Sequence, residues 1–317
     1  MSEFNSLGKL TEHLTYLQEG DQKKLTFDLL KNELLRVNND NKRIYSIGIK
    51  EDIDHNLALI YTTEVEDLLD NPRDELALAF EEGAKSIIFD TKLMKPITAQ
   101  TGHIYMNEEA EDLLESGKEK VDWDKMVVKE CYEGTVLLVF HHDDKWWVST
   151  RRCLDASKSS WVGTSYKELF EESMKGNFTY DDLNKENCYY FILMHHKNKN
   201  IISYSQFGKD YATLIPLKVS MKYNNNEVKD DIWMKFPETK KYKVKSLKDL
   251  KKEVSDMNYY DKKHRKVTTE GLVFQNGLDV YKFQTELYRE LSEMKPNNSN
   301  RHQVFMELYQ QDKLKKY

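Results

Sequence analysis

Apolar residues recur along this chain with two periods, and the changes between them mark out its elements. From Leu7 to Val37, Leu10, Leu14 and Leu17, then Leu25, Phe27, Leu29, Leu30, Leu34 and Leu35, include mixed three- and four-residue spacings. That spacing predicts two helices, broken near Gly20-Asp21. Between Arg43 and Thr63 the short runs IYSIGI and LALIYTT flank the polar turn EDIDHN, which predicts a β-hairpin. Asp74 to Glu82 reads as a helix, Lys85 to Asp90 as a strand, and Asn107 to Ser116 as an amphipathic helix stopped by Gly117.

The middle of the chain is rich in strands: Gly134 to Phe140, Trp146 to Arg151, Cys188 to Met194 and Ile201 to Tyr204. The short turn HHDDK joins the first two, so they pair antiparallel. Tyr166 to Met174 predicts a helix over that sheet. The chain closes with a strand pair, Gly271 to Gln275 and Asp279 to Phe283, and then helices from about Glu286 onward. The pattern is α+β, with antiparallel sheets and flanking helices, and 317 residues are enough for two units with real cores.

Composition narrows the partners. A net charge of -6 excludes a surface coated in basic residues for nucleic acid. One region runs the other way: Lys235 to Lys266 holds twelve Lys/Arg against five Asp/Glu, as a solvated face or a phosphate-binding one. The start, MSEFNSLGKL, has no apolar signal core, and the longest apolar runs are far too short to span a bilayer. Three cysteines, Cys131, Cys153 and Cys188, without zinc-type pair spacing suggest neither a disulfide framework nor structural zinc. A soluble protein of a reducing compartment, without a membrane partner, is the expectation.

Candidate chemistry centres on Lys129 to Trp161. Read as one strand with alternating side chains, Lys129, Cys131, Glu133 and Thr135 share a face. A lysine in such a row can attack a phosphate when its amine is neutral, and the glutamate can hold a ribose hydroxyl. The bland reading of Lys129 is a solvated strand lysine, and that of Cys131 a packed small residue. Glu270-Gly271-Leu272-Val273-Phe274 repeats the acid, glycine, apolar-strand pattern, and Tyr281-Lys282-Phe283 follows as the next strand. An acid that helps hold a metal and a lysine aimed at a phosphate suit phosphoryl chemistry. Arg151-Arg152 offers a guanidinium for a phosphate, or an ordinary solvated pair. The adjacent histidines His141-His142 and His195-His196 diverge on a strand and cannot easily chelate one ion.

Four segments in order, AKSIIFDTKLMKPI, YEGTVLLVFHHDDKWWVSTRRCLDASKSSW, YYFILMHHKNKNIISY and EGLVFQNGLDVYKFQTELY, resemble the RNA ligase-like covalent nucleotidyltransferases, in particular the bacteriophage-type RNA ligase and its relatives in large DNA viruses. The resemblance runs from about Ala84 to the C-terminus. It implies a nucleotidyltransferase core of packed antiparallel sheets with flanking helices, and transfer of AMP from ATP, with Mg²⁺ or Mn²⁺, to a lysine and then to an RNA 5′-phosphate. Glu133 and Gly134 match the end of the nucleotidyl motif, Arg151 falls near the next, Glu270-Gly271 matches the metal-associated acidic motif, and Lys282 matches the first lysine of the last motif. Lys85 stands where such ligases often carry an arginine that contacts the triphosphate.

Three positions depart from the pattern. The nucleophilic lysine of the family falls at Cys131, its last lysine at Gln284, and an acidic position within Ile192-Leu193-Met194. Lys129 lies one pleat before Cys131, about 7 Å along a strand at roughly 3.3 Å per residue, so a displaced nucleophile is one expectation. Nucleotide or RNA binding without covalent chemistry is the alternative, and use of the fold as an interaction scaffold is a third. The expected divisions are a mixed N-terminal region, residues 1–83, a nucleotidyltransferase-like core, 84–285, and a helical segment, 286–317. A viral source would place the protein in host cytoplasm.

Overall fold

Three sheets organise the chain, and the third draws its strands from positions far apart in sequence. The structure is a computed structural model that describes residues 11, 14–15, 25–63, 81, 83–100, 103–161, 163–198, 201–202, 204, 207–236, 238–276, 279–294 and 300–314. Most of the first expected helix, and nearly all of the helix expected from Asp74 to Glu82, lie outside these residues.

The first sheet runs in the order β1 (Ile47–Asp52), β2 (Leu57–Thr62), β3 (Ile87–Asp90), β4 (Lys95–Ala99), all antiparallel. The expected hairpin is its first pair. Strands on both sides of residue 83 therefore share one sheet. Helix α1 (Phe27–Leu34), capped by the Thr26 hydroxyl, buries Phe27, Leu30 and Leu34 against it, the face that the i, i+3, i+7 spacing defines.

The second sheet has the order β10-β9-β7-β8, where β7 is Thr135–His142, β8 Lys145–Thr150, β9 Asn187–His195 and β10 Ala212–Met221. Leu137, Val139, Tyr189, Phe191 and Leu193 pack on one face beneath helix α3 (Tyr166–Met174), which a Ser165–Glu168 capping box starts. Leu138, Phe140, Cys188 and Tyr190 pack on the other face against Leu57, Leu59, Ile88 and Ile97 of the first sheet. Burial on both faces is why β9 reads as an unbroken apolar run.

Of the strand expected at Ile201 to Tyr204, the described residues 201, 202 and 204 are not in a strand. Ile201 and Ile202 lie in a bend, and β10 pairs with β9 instead. Ile202 and Tyr204 join a cluster with Met194, Ile215 and Val267, so burial accounts for their apolar character without a strand. Pro216 and Lys218 disguise β10 in the sequence, and the register shifts between them.

The third sheet has the order β11-β6-β12-β13-β5, built from β5 (Ile104–Met106), β6 (Val128–Cys131), β11 (Lys241–Tyr242), β12 (Gly271–Asn276) and β13 (Asp279–Gln284). Val128, Leu272, Phe274, Tyr281 and Phe283 fill one face, covered by helices α2 (Asn107–Glu115) and α4 (Leu247–His264) through Ala110 and Leu250. Helices α5 (Glu286–Met294) and α6 (Arg301–Gln310) follow. The single strand expected from Lys129 through Phe140 is two: β6 belongs to the third sheet and β7 to the second, with the break over residues 132–134. Gly134 permits the crossing, because a Cβ there would stand 2.4 Å from Ile192 Cγ2 and 2.6 Å from the Leu193 carbonyl oxygen. No helix among the described residues is long and apolar enough to cross a membrane.

Gly271 is the tighter constraint, with φ of +145°; a Cβ at this position would stand only 2.0 Å from the Phe283 carbonyl oxygen. Gly271→Ala must therefore push β12 and β13 apart. The expected cost is on the order of 3 kcal/mol or more, read as a lower midpoint in urea unfolding, and a midpoint unchanged from wild type would refute the constraint.

Candidate functional site

Strand register alone brings the candidate residues together. Lys282, Val273, Lys129 and Lys241 lie directly opposite one another across β13, β12, β6 and β11, and Gln284, Gly271 and Cys131 form the neighbouring row. Opposed residues share a face, and the other face carries the apolar cluster under α2 and α4. Lys129, Cys131 and Lys282 thus line a pocket of about 320 Å³, joined by Glu133, Gly134 and Glu270. Ile192, Ile215 and Pro216 of the second sheet and Tyr288 of α5 complete its wall.

The chemistry on its floor converges on one carboxylate. Glu270 is only 3% exposed. Its Oε1 receives the Lys282 ammonium at 2.5 Å and the Gln284 amide at 2.7 Å, while the Cys131 thiol donates to Oε2 at 3.4 Å. Gln284 is itself held from behind: Asn107 Nδ2 donates to its side-chain oxygen at 2.9 Å, and its backbone N–H donates to Asn107 Oδ1 at 2.8 Å. Asn107 adopts a left-handed φ of 51°, a conformation that asparagine tolerates better than most residues.

Protonation follows from these contacts. Burial on its own would lower the Lys282 pKa, but the Glu270 carboxylate in contact with it outweighs this and holds the ammonium above its ordinary value. Burial pushes the Cys131 thiol up, Glu270 adds to this, and Lys282 offsets only part of it. At neutral pH Cys131 is a thiol, and because the thiolate is the reactive form, it is no nucleophile here.

Glu133 lines the same pocket but faces inward. Its Oε2 accepts the backbone N–H groups of Ile201 at 2.6 Å and Ile202 at 2.8 Å. The Tyr204 hydroxyl accepts from Glu133 N at 2.6 Å and donates to Glu133 O at 3.0 Å. These bonds fasten the connection after β9 to the junction between β6 and β7. Sequence pattern alone gave Tyr204, Tyr288 and Asn107 no part in the site, and only their aromatic or turn character could have drawn notice.

Lys129 is the counter-case. It is half-buried on the pocket face, and among the described residues no hydrogen bond or ion pair engages its ammonium. The remaining candidates stand outside the lining. Lys85 lies 3.5 Å from His103 Nδ1, beside the pocket residue Ile104. Arg151 is exposed in the turn after Thr150, which pairs with Leu137. Both carboxylate oxygens of Glu270, the expected metal position, are engaged within the protein, and no group of three His, Cys, Asp or Glu among the described residues could hold an ion.

No protein-family model matches the chain. It is similar to the "Immediate-early protein ICP-46 homolog" of Invertebrate iridescent virus 3, 26% identical over 182 residues, which cover 50% of this chain and 40% of that protein. The chain thus spans less than half of this viral relative. Among solved structures, an archaeal ATP-dependent RNA ligase in its form 2 matches with a TM-score of 0.51 and 10% identity, over 86% of this chain and 68% of the ligase. A putative ATP-dependent DNA ligase from Aquifex aeolicus matches with a TM-score of 0.46 and 17% identity, over 81% of this chain and 64% of that one. The likeness to the archaeal ligase shows the fold alone: the chain has an RNA ligase-like fold.

The Glu270–Lys282 pair makes a sharp prediction. Lys282→Met leaves a buried carboxylate without its counter-charge and should cost about 3 kcal/mol, whereas adding Glu270→Gln should recover much of it. A double-mutant cycle in denaturant measures the coupling, and additive losses would show the two groups to be independent.

Proposed function

We propose that this chain is an RNA ligase-like nucleotidyltransferase that binds ATP in the pocket between its second and third sheets, with Lys129 in place of the lysine that position 131 lacks. The observation that carries this reading is the unpaired Lys129 ammonium, on the pocket face and one pleat from Cys131. A pocket of about 320 Å³ lies within the size range of small-molecule sites. A half-buried lysine without a partner is completed by an anion, and a triphosphate supplies one.

Lys129 and Lys282 hold the phosphates from two sides of Val273. Mg²⁺ or Mn²⁺, if bound, would be carried by the phosphate oxygens and would supply charge neutralisation there. Lys129, once its amine is neutral, attacks the α-phosphorus. A P–N bond forms, the α–β P–O bond breaks, pyrophosphate leaves and the lysine proton passes to solvent. In the second step an oxygen of an RNA 5′-phosphate attacks the AMP phosphorus, a P–O bond forms, the P–N bond breaks and the Lys129 amine leaves, taking up a proton from solvent. Glu270 acts through Lys282, whose ammonium it fixes, and Glu133 by tying down the pocket wall.

A second reading is nucleotide binding without transfer, to which the Cys131 thiol and the closed contacts around Glu270 are also suited. One assay separates them. The protein is incubated with ATP labelled at the α-phosphate and a divalent cation, then denatured in acid. The expected outcome is acid-stable label on the wild type, reduced at least a hundredfold in Lys129→Ala, with the adduct mapped to Lys129. Folded protein without label, but with saturable ATP binding that Lys282→Ala weakens, would establish the second reading.

A further inference from the structure

The regional excess of lysine noted in the sequence has a definite place in the fold. β11 is the outer strand of the third sheet, with no strand beyond it among the described residues. From Lys241 to Lys245 the side chains alternate: Tyr242 and Val244 join the core cluster under α4, while Lys241, Lys243 and Lys245 are exposed. Lys241 therefore faces the side opposite α4, which carries the pocket, and Lys243 and Lys245, just beyond the end of β11, keep the same alternation of exposed and buried residues. Lys241 lies directly opposite Lys129, and Thr239, two residues earlier, lines the pocket. Lysine ammonium groups thus continue from the pocket out along the sheet edge.

Charge balance on this edge is one-sided. Lys241 has a single distant acid, Glu238 at 4.0 Å. Among the described residues, no hydrogen bond or ion pair engages the ammonium of Lys243 or Lys245. The exposed lysines of α4 belong elsewhere. Lys248, Lys252 and Lys263 lie opposite the helix face that Leu250, Val254 and Met257 turn to the sheet, and so point away from the pocket.

Charge and spacing together favour a phosphate backbone. Alternate residues of an extended segment are about 7 Å apart, comparable with the separation of neighbouring phosphates along an extended single strand, so each lysine can meet successive phosphates of one strand. We propose that Lys241, Lys243 and Lys245 form a track for the phosphate backbone of single-stranded RNA, along which an RNA end reaches the pocket at Lys129. This rests on the nucleotidyltransferase reading for the direction of the strand, while the track itself stands on register, exposure and charge. The contacts are to phosphates, so the track is blind to base sequence.

The test is equilibrium binding of a fluorescent 20-nucleotide single-stranded RNA to the full chain across a salt series, with ATP binding measured on the same samples. Each phosphate contact contributes about 0.7 to the slope of log affinity against log salt for a single strand. The variant Lys241→Ala/Lys243→Ala/Lys245→Ala should lose about 2 from that slope, and on the order of 100-fold in affinity at 0.1 M salt. The triple Lys→Arg variant should keep both. ATP binding should stay within about twofold in each, a change of less than 0.5 kcal/mol.

An unchanged RNA slope in the alanine variant, with ATP binding intact, overturns the track alone. Loss of slope in a protein that never binds ATP leaves the track standing and removes the nucleotide reading. Equal binding and equal loss with duplex DNA overturns the single-strand assignment. Self-association of the alanine variant, with unchanged RNA affinity, would assign the lysines to guarding an open sheet edge and overturn the proposal.

Discussion

A buried carboxylate at the start of β12 is the constraint on which the site depends. Removing a charged carboxylate from water costs several kcal/mol unless it is paired and hydrogen-bonded. Glu270 meets that requirement with three donors from three positions: Cys131 on β6, and Lys282 and Gln284 on β13. Satisfying one side chain therefore fixes the two strands that flank β12. Gly271, beside it, lets the chains approach closely enough for those donors to reach. The apolar face beneath supplies most of the burial, but it would tolerate small shifts of the strands that the polar face would not.

Glu133 has a parallel role on the other side of the pocket. It also stands just before a glycine at a strand junction, and its charge is also engaged within the protein. By binding two backbone N–H groups of the bend at Ile201 and Ile202, it joins the second sheet to the third. Glu133 and Glu270 are committed to structure, and Glu130, the third acid of the lining, accepts from the Tyr242 hydroxyl at 3.5 Å; the cations left facing the pocket are Lys129, unpaired among the described residues, and Lys282, held as an ammonium. That balance suits phosphates, and it separates the groups that shape the pocket from the group left free within it.

The sequence could be read well where local pattern decides. The hairpin of β1 and β2, the strand pair of β12 and β13 and the bounds of α3 follow from period, turn residues and a capping box. Glu133, Glu270 and Lys282, read from separate motifs, and Lys129, read from strand alternation, line one pocket, whereas Lys85 and Arg151, nominated by the same motifs, do not. What local pattern cannot carry is pairing between distant segments. Asn107 and Gln284 are 177 residues apart and bond reciprocally, and nothing in either neighbourhood announces it. An unbroken strand through Tyr132 to Gly134 is the reasonable reading of alternating residues, but the close approach of Gly134 to Leu193 sends its two halves into different sheets. Gln284, read as a lost lysine, is a hydrogen-bond donor to Glu270 whose partner could not be known without the fold.

The departure at position 131 and the free lysine at 129 are linked by geometry. Cys131 is small enough to sit beneath the Glu270 cluster, 7% exposed, and contributes a thiol donor to it. A lysine two residues earlier on the same strand faces the same pocket from a position where no partner among the described residues engages it. The most direct test is calorimetric titration of ATP into the wild-type protein and into Lys129→Met, with both shown to be folded. The predicted result is one saturable site in the wild type and at least tenfold weaker binding in the variant, about 1.4 kcal/mol for the loss of one charge-assisted contact. Absence of ATP binding in the wild type, or equal affinity in the two proteins, would contradict a nucleotide site built around Lys129.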